Sequence, residues 1–260
     1  MPPAVHRGTL DAATHNISRL LTSVSAAAAP FSDQPIPARK PVSSSVELLL
    51  PRTNYPVSRT ALLLIDPYND FLSDGGKLWP QIRAVAKSVD LITHLRALVT
   101  TARQVGVGVF YVPHRRWREG DYDGWRYPTP AQIASDRDAV FAKGTWGAEW
   151  HSDLLSQPGD VIVKEHWGQC GFASTDLDVQ LKQRSIERII VIGVAANTCV
   201  EATARSGAEL GYHVTLVPDA TAAASRDAMH AAHKINGPRF AHAILTTDVL
   251  IAALCAARPS

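Results

Sequence analysis

From Thr60 onward, apolar runs of strand length take turns with stretches of helical periodicity, and this alternation constrains the fold more than any other feature of the chain. Ala61-Leu62-Leu63-Leu64-Ile65 is apolar without a break, the pattern of a strand covered on both faces rather than one. Pro80 opens a helix, where its missing N–H leaves no bond unmade. Ile82, Val85, Val89, Ile92, Leu95, Val99 and Ala102 then form one apolar stripe, ended by Gly106. Val107–Val112 reads as a second strand, Val161-Ile162-Val163 as a third and Arg188–Ile192 as a fourth, the last reached through a helix over Thr175–Gln183. A helix from near Cys199 to Leu210, a strand at His213–Val217, a helix near Asp227–Ile235, a strand at Ala241–Leu245 and a final helix to Ala256 complete the series. Strict alternation implies right-handed crossovers. The expected fold is therefore α/β, three layers deep, with a mostly parallel, doubly wound sheet of about six strands between helices.

That domain is expected to occupy residues 47–260. Residues 1–46 read differently: an Ala-, Ser- and Thr-rich stretch with a short helix over Asp11–Val24, then a Pro/Ser-rich linker over Pro35–Ser45. With 46% hydrophobic and 19% charged residues, the chain can bury a proper core. Its net charge of +2 is too small to point to nucleic acid or an anionic membrane, and no apolar run approaches the ~18–20 residues that span a bilayer. Three cysteines without a CxxC pair argue against a disulfide framework and a structural zinc site, and fit a reducing, cytoplasmic setting. The long connection from Pro113 to Pro158 holds Trp117, Trp125, Trp146 and Trp150; connections of that length are usually lids or binding loops.

In an open parallel sheet, ligands bind beyond the carboxyl ends of the strands. Three reactive side chains fall there: Asp66 after the first strand, Lys164 after the third and Cys199 after the fourth. A cysteine at a helix N-terminus has its thiolate stabilised by the dipole and free N–H groups, which can also hold an oxyanion. An aspartate beside it can take the thiol proton and return it to a leaving nitrogen, and a lysine between them stabilises both anions. Singly, each has a plainer role: a buried inert thiol, a turn residue, a surface cation. The set of three makes the case.

The segments that carry these residues resemble the isochorismatase-like cysteine hydrolases, a superfamily that includes isochorismatase, nicotinamidase, N-carbamoylsarcosine amidase and ureidoacrylate amidohydrolase. The matching stretches are Leu63 to Phe71, with Asp66-Pro67-Tyr68-Asn69-Asp70 at its centre; Val163-Lys164 followed by Gly171-Phe172 and Thr175-Asp176-Leu177; Gly193 to Arg205; and Asp219-Ala220. What the resemblance implies is an Asp66–Lys164–Cys199 triad and a non-proline cis peptide at Val194–Ala195, which aims the N–H groups of Ala195 and Cys199 into an oxyanion hole. It implies cleavage of a small-molecule amide or ureide through a thioester, and assembly as a homodimer or homotetramer. Tyr68, Phe71, His114, Trp146, His166, Trp167, Gln169, Val194 and Asn197 are the candidates for substrate contact.

Departures from the family narrow the choice. The metal-binding histidine cluster of nicotinamidases has no counterpart around Tyr111-Val112-Pro113-His114, and a lone histidine is a poor metal site, so neither metal nor cofactor is expected. A vinyl-ether hydrolase of the isochorismatase type needs no thiol, so Cys199 favours acyl transfer; that activity and a non-catalytic binding role are the alternatives. Arg115, Arg116, Arg118 and Arg126 in the long connection can either grip a substrate carboxylate or form a solvated loop face. Cys170 and Cys255 are read as structural.

Overall fold

The expected strands form at the expected places. In the computed structural model, which describes residues 54–257, they are β1 (Thr60–Ile65), β2 (Gly108–Val112), β3 (Val161–Ile162), β4 (Arg188–Val194), β5 (His213–Ala222) and β6 (Ala243–Ile244). They make one sheet in the order β3-β2-β1-β4-β5-β6, every neighbouring pair parallel. The helices among the described residues are α1 (Asn69–Leu72), α2 (Trp79–Ser88), α3 (Leu91–Val105), α4 (Pro130–Arg137), α5 (Leu177–Lys182), α6 (Glu201–Glu209), α7 (Arg226–His230) and α8 (Thr247–Ala256). The readings of residues 1–46 lie outside the described residues.

Alternate side chains of the two central strands divide between two cores. Leu62, Leu64, Ile190 and Ile192 pack with α2, α3 and α8 on one face. Ala61, Leu63, Ile65, Ile189 and Val191 pack with α5 and α6 on the other. Each buried Leu, Ile or Val contributes about 1.5–3 kcal/mol, and sliding either strand by one residue would exchange the two sets between faces. The strand order turns around between β1 and β4, which makes the carboxyl ends of that pair the switch point where a crevice opens.

Three local features differ from the sequence expectation. The stripe from Ile82 to Ala102 lies on two helices, not one, because Asp90 takes a left-handed conformation (φ 49°) between α2 and α3; aspartate tolerates that region. Both helices still face the same core, so the stripe shows no break. The connection after β2 contains α4, started by Pro130 and a capping box between Thr129 and Gln132. The third feature is a slip in register after β3. Tyr111 pairs with Ile162, but His114 pairs with His166, so one extra residue stands on the β3 side. This is a bulge, and it reverses which side chains face inward beyond it.

Candidate active site

Asp66 leaves β1 with φ 50° and is fully buried. The left-handed turn directs its carboxylate along the switch point, where Oδ1 accepts the backbone N–H of His114 at 2.6 Å. Oδ2 is buried and, among the described residues, has no hydrogen-bond partner, an acceptor set to receive a proton.

Cys199 stands across the switch point in the turn Ala196–Val200, a π-helical start to α6. Three residues upstream of that turn, Gly193 has φ 111° and would put a Cβ 2.2 Å from the Ile65 carbonyl oxygen, so only glycine lets β4 approach the end of β1 this closely. The Val194–Ala195 peptide is cis. Burial first, and the Asp66 carboxylate second, push the Cys199 thiol well above its ordinary pKa. The resting sulfur is therefore a thiol, and the thiolate-stabilising effect expected of a helix start is outweighed here. A proton on Sγ has the Asp66 carboxylate as its acceptor.

The third member is not Lys164. Lys164 is exposed, and its backbone N–H donates to the Asp176 carboxylate at 2.7 Å. The bulge explains the correction: Lys164 keeps the outward parity of Ile162, while the extra residue turns His166 inward. His166 is fully buried, with Nε2 3.1 Å from Asp66 Oδ1 and Nδ1 2.8 Å from the Gly168 carbonyl oxygen. Both ring nitrogens thus face acceptors, which an imidazolium satisfies as a double donor. Burial lowers the His166 pKa, but the Asp66 charge and hydrogen bond outweigh it, and the net shift is upward. An oxygen of Asp66, a nitrogen of His166 and the sulfur of Cys199 all lie within 4.8 Å of one another. Such a set could also hold a cation; the 3.1 Å contact between Nε2 and Oδ1 is that of a hydrogen-bonded ion pair.

Above these residues lies a cavity of about 860 Å³. Of the substrate candidates, Phe71, His114, Gln169 and Asn197 line it, as do Ala195 and Cys199. The others do not. Tyr68 is fully buried beneath, stacked between Phe141 and Trp150, its hydroxyl donating to the His114 carbonyl oxygen at 2.8 Å. Val194 is buried in the sheet core, and His166 serves Asp66. Trp146 is 49% exposed, and Trp167 stacks under the Arg115 guanidinium at 4.5 Å. Much of the cavity wall comes from the long connection read as a lid or binding loop, but through residues not singled out in it: Thr129 to Asp138 on and around α4, then Val140 and Phe141. Its sequence signal was the Thr129-Pro130-x-Gln132 start of a helix. Asp70 ties this wall to α1 by accepting the backbone N–H of Phe141 at 2.7 Å and of Lys77 at 3.1 Å.

A doubly wound sheet with a thiol and a carboxylate facing each other at its switch point, under a cavity, defines an α/β protein of cysteine-hydrolase type. The chain belongs to the isochorismatase family: the isochorismatase domain model matches residues 60–248. Ureidoacrylate amidohydrolase RutB of Stutzerimonas stutzeri strain A1501 is 30% identical over 175 residues, 63% of this chain and 70% of that protein. A cysteine hydrolase from Pseudomonas syringae pv. phaseolicola 1448A superposes with a TM-score of 0.67 at 26% identity, covering 78% of this chain and 97% of that one. N-carbamoylsarcosine amidase from Thermoplasma acidophilum superposes with a TM-score of 0.53 at 25% identity, over 73% of this chain and 97% of that one. Among the described residues, no helix is long and apolar enough to cross a membrane.

Proposed function

We propose that this chain is a cysteine-dependent hydrolase that cleaves the C–N bond of a small-molecule amide or ureide through a thioester. The observation that carries the reading is the closeness of Cys199 Sγ, on a residue that lines the cavity, to the buried carboxylate of Asp66. Asp66 takes the proton from Sγ as the sulfur bonds to the carbonyl carbon. The backbone N–H groups of Ala195 and Cys199 hold the resulting oxyanion, a contribution of about 10²–10³ in rate per donor in comparable sites. As the C–N bond breaks, Asp66 returns its proton to the departing nitrogen. A water molecule then attacks the thioester, Asp66 accepts its proton, and the sulfur leaves and regains a hydrogen. His166 takes the part expected of Lys164, keeping a positive charge beside the developing anions.

The relatives named for amide and ureide hydrolysis support the same chemistry. The domain is taken to span residues 47–260 and to need neither metal nor cofactor. A cytoplasmic setting agrees with Cys170, Cys199 and Cys255 all being free thiols. Ile162, 52% exposed on edge strand β3, is apolar surface that a second copy in a homodimer or homotetramer would cover; sedimentation velocity returning only monomer would contradict that assembly.

A panel of primary amides and ureides assayed for ammonia release tests the function. At least one is expected to be turned over, with the activity abolished in Cys199→Ala. Amide turnover that survives the loss of the thiol would overturn the proposal, and vinyl-ether cleavage that survives it would point to the isochorismatase reaction instead.

A further inference from the structure

The cavity over Cys199 has room for far more than a ureide; ligand sites of about 300–1,000 Å³ enclose molecules of drug size. One wall is apolar, made by Phe71, Leu78, Ile82, Val140 and Phe141. Helix α4 lends the cavity Ala131, Ala134 and Ser135, small side chains at helical spacing that keep the volume open. None of the described residues lining the cavity is a lysine or arginine.

Several cations of the surrounding described segments are committed elsewhere. Arg115 pairs with Asp121 at 2.7 Å and Arg116 with Glu165 at 2.7 Å, its guanidinium lying over Trp150. Lys77 donates its ammonium protons to the carbonyl oxygens of Asp138 and Ala139. Arg137 turns outward, 72% exposed, and covers the Asp138 carboxylate, the acid at the cavity wall. His166 gives both ring nitrogens to Gly168 and Asp66. His114 is kept neutral by burial. A carboxylate brought into this space meets, among the described lining residues, no lysine or arginine to replace the water it gives up, and the one buried cation close by, His166, is already paired with Asp66.

We infer that the site takes an uncharged amide or carbamoyl compound with an apolar body, and discriminates against substrates that carry a carboxylate. The inference rests on the hydrolase reading for the bond that is cut. It separates this chain from relatives whose names specify ureidoacrylate and N-carbamoylsarcosine, both carboxylates.

Two measurements on the full chain separate the inference from that reading. The first compares alkylation of Cys199 by iodoacetamide and by iodoacetate, followed by peptide mass spectrometry, with 2-mercaptoethanol as reference thiol. The preference for the neutral reagent at Cys199 is expected to exceed that of the free thiol by at least about tenfold. A preference equal to the reference, or reversed, overturns the inference whether or not the protein hydrolyses anything. In Ser135→Lys, which places a cation on the wall, iodoacetate is expected to recover most of the deficit; no recovery would argue that charge is not what excludes it. The second measurement compares ammonia release from hexanamide and from the monoamide of adipic acid, matched in chain length. Faster turnover of the acid overturns the inference. Absence of turnover of both, with the alkylation preference intact, would sink the hydrolase reading while leaving the cavity's selectivity supported.

Discussion

Nε2 of His166 lies 3.1 Å from Oδ1 of Asp66, and neither side chain touches solvent. A buried ion pair of this kind adds little net stability against an apolar replacement of both partners, yet removing one partner strands the other. His166→Ala is therefore expected to destabilise the fold by about 3–5 kcal/mol at pH 7, read from urea denaturation. A loss below about 1 kcal/mol would mean that Asp66 is not held as an anion by this histidine.

The same pair sets a pH dependence. The His166 pKa is raised above its ordinary value, so its contribution is fully present below the unfolded-state value of about 6.5 and fades as pH rises through the higher folded-state value. On the alkaline side, kcat/KM should fall with an apparent pKa above about 6.5. In His166→Lys, the fall should move up by at least about one pH unit, because lysine holds its proton longer. Superimposable profiles for the two proteins would exclude His166 as the titrating cation.

Asp66→Asn keeps the size of the side chain and an oxygen for the His114 N–H, but it cannot accept the thiol proton. A loss of about 10²–10⁴ in kcat/KM is expected in the folded variant, beside a loss of stability because His166 no longer faces an anion. A variant within tenfold of the parent would show that the proton leaves by another route.

Gly193→Ala should be poorly tolerated although it adds one methyl group. The new Cβ would meet the Ile65 carbonyl oxygen at 2.2 Å and its nitrogen at 2.8 Å, both backbone atoms of β1, at φ 111°. The thermal midpoint is expected to drop by more than about 5 °C, with turnover falling as β1 and β4 part. An unchanged midpoint would mean that the close approach of the two strands is not needed.

The parts of this site that the sequence revealed are those tied to strong periodic signals. Asp66 follows an unbroken apolar strand and Cys199 follows β4, so their meeting at the sheet edge needed only the rule that parallel strands end together. The third group was misread because β3 is two residues long and the bulge after it has no residue type that announces it; Val163-Lys164-Glu165-His166 offered a lysine in plain alternation, and one extra residue buried the histidine instead. The break at Asp90 was hidden because both helices bury the same stripe. The wall formed by α4 lacks a buried face of its own, so hydrophobic spacing could not find it, although its capping box could have. The committed pairings of Arg115 and Arg116, which keep them out of the cavity, depend on contacts with Asp121 and Glu165 that no local pattern specifies.

Covalent catalysis at Cys199 is the central claim, and intact-mass spectrometry of the protein quenched in acid during turnover of an amide substrate tests it most directly. The account predicts a mass increase equal to the substrate's acyl group, mapped to the peptide that contains Cys199, decaying as the substrate is exhausted. Sustained release of ammonia with no such adduct, and with the same rate in Cys199→Ala, would contradict it.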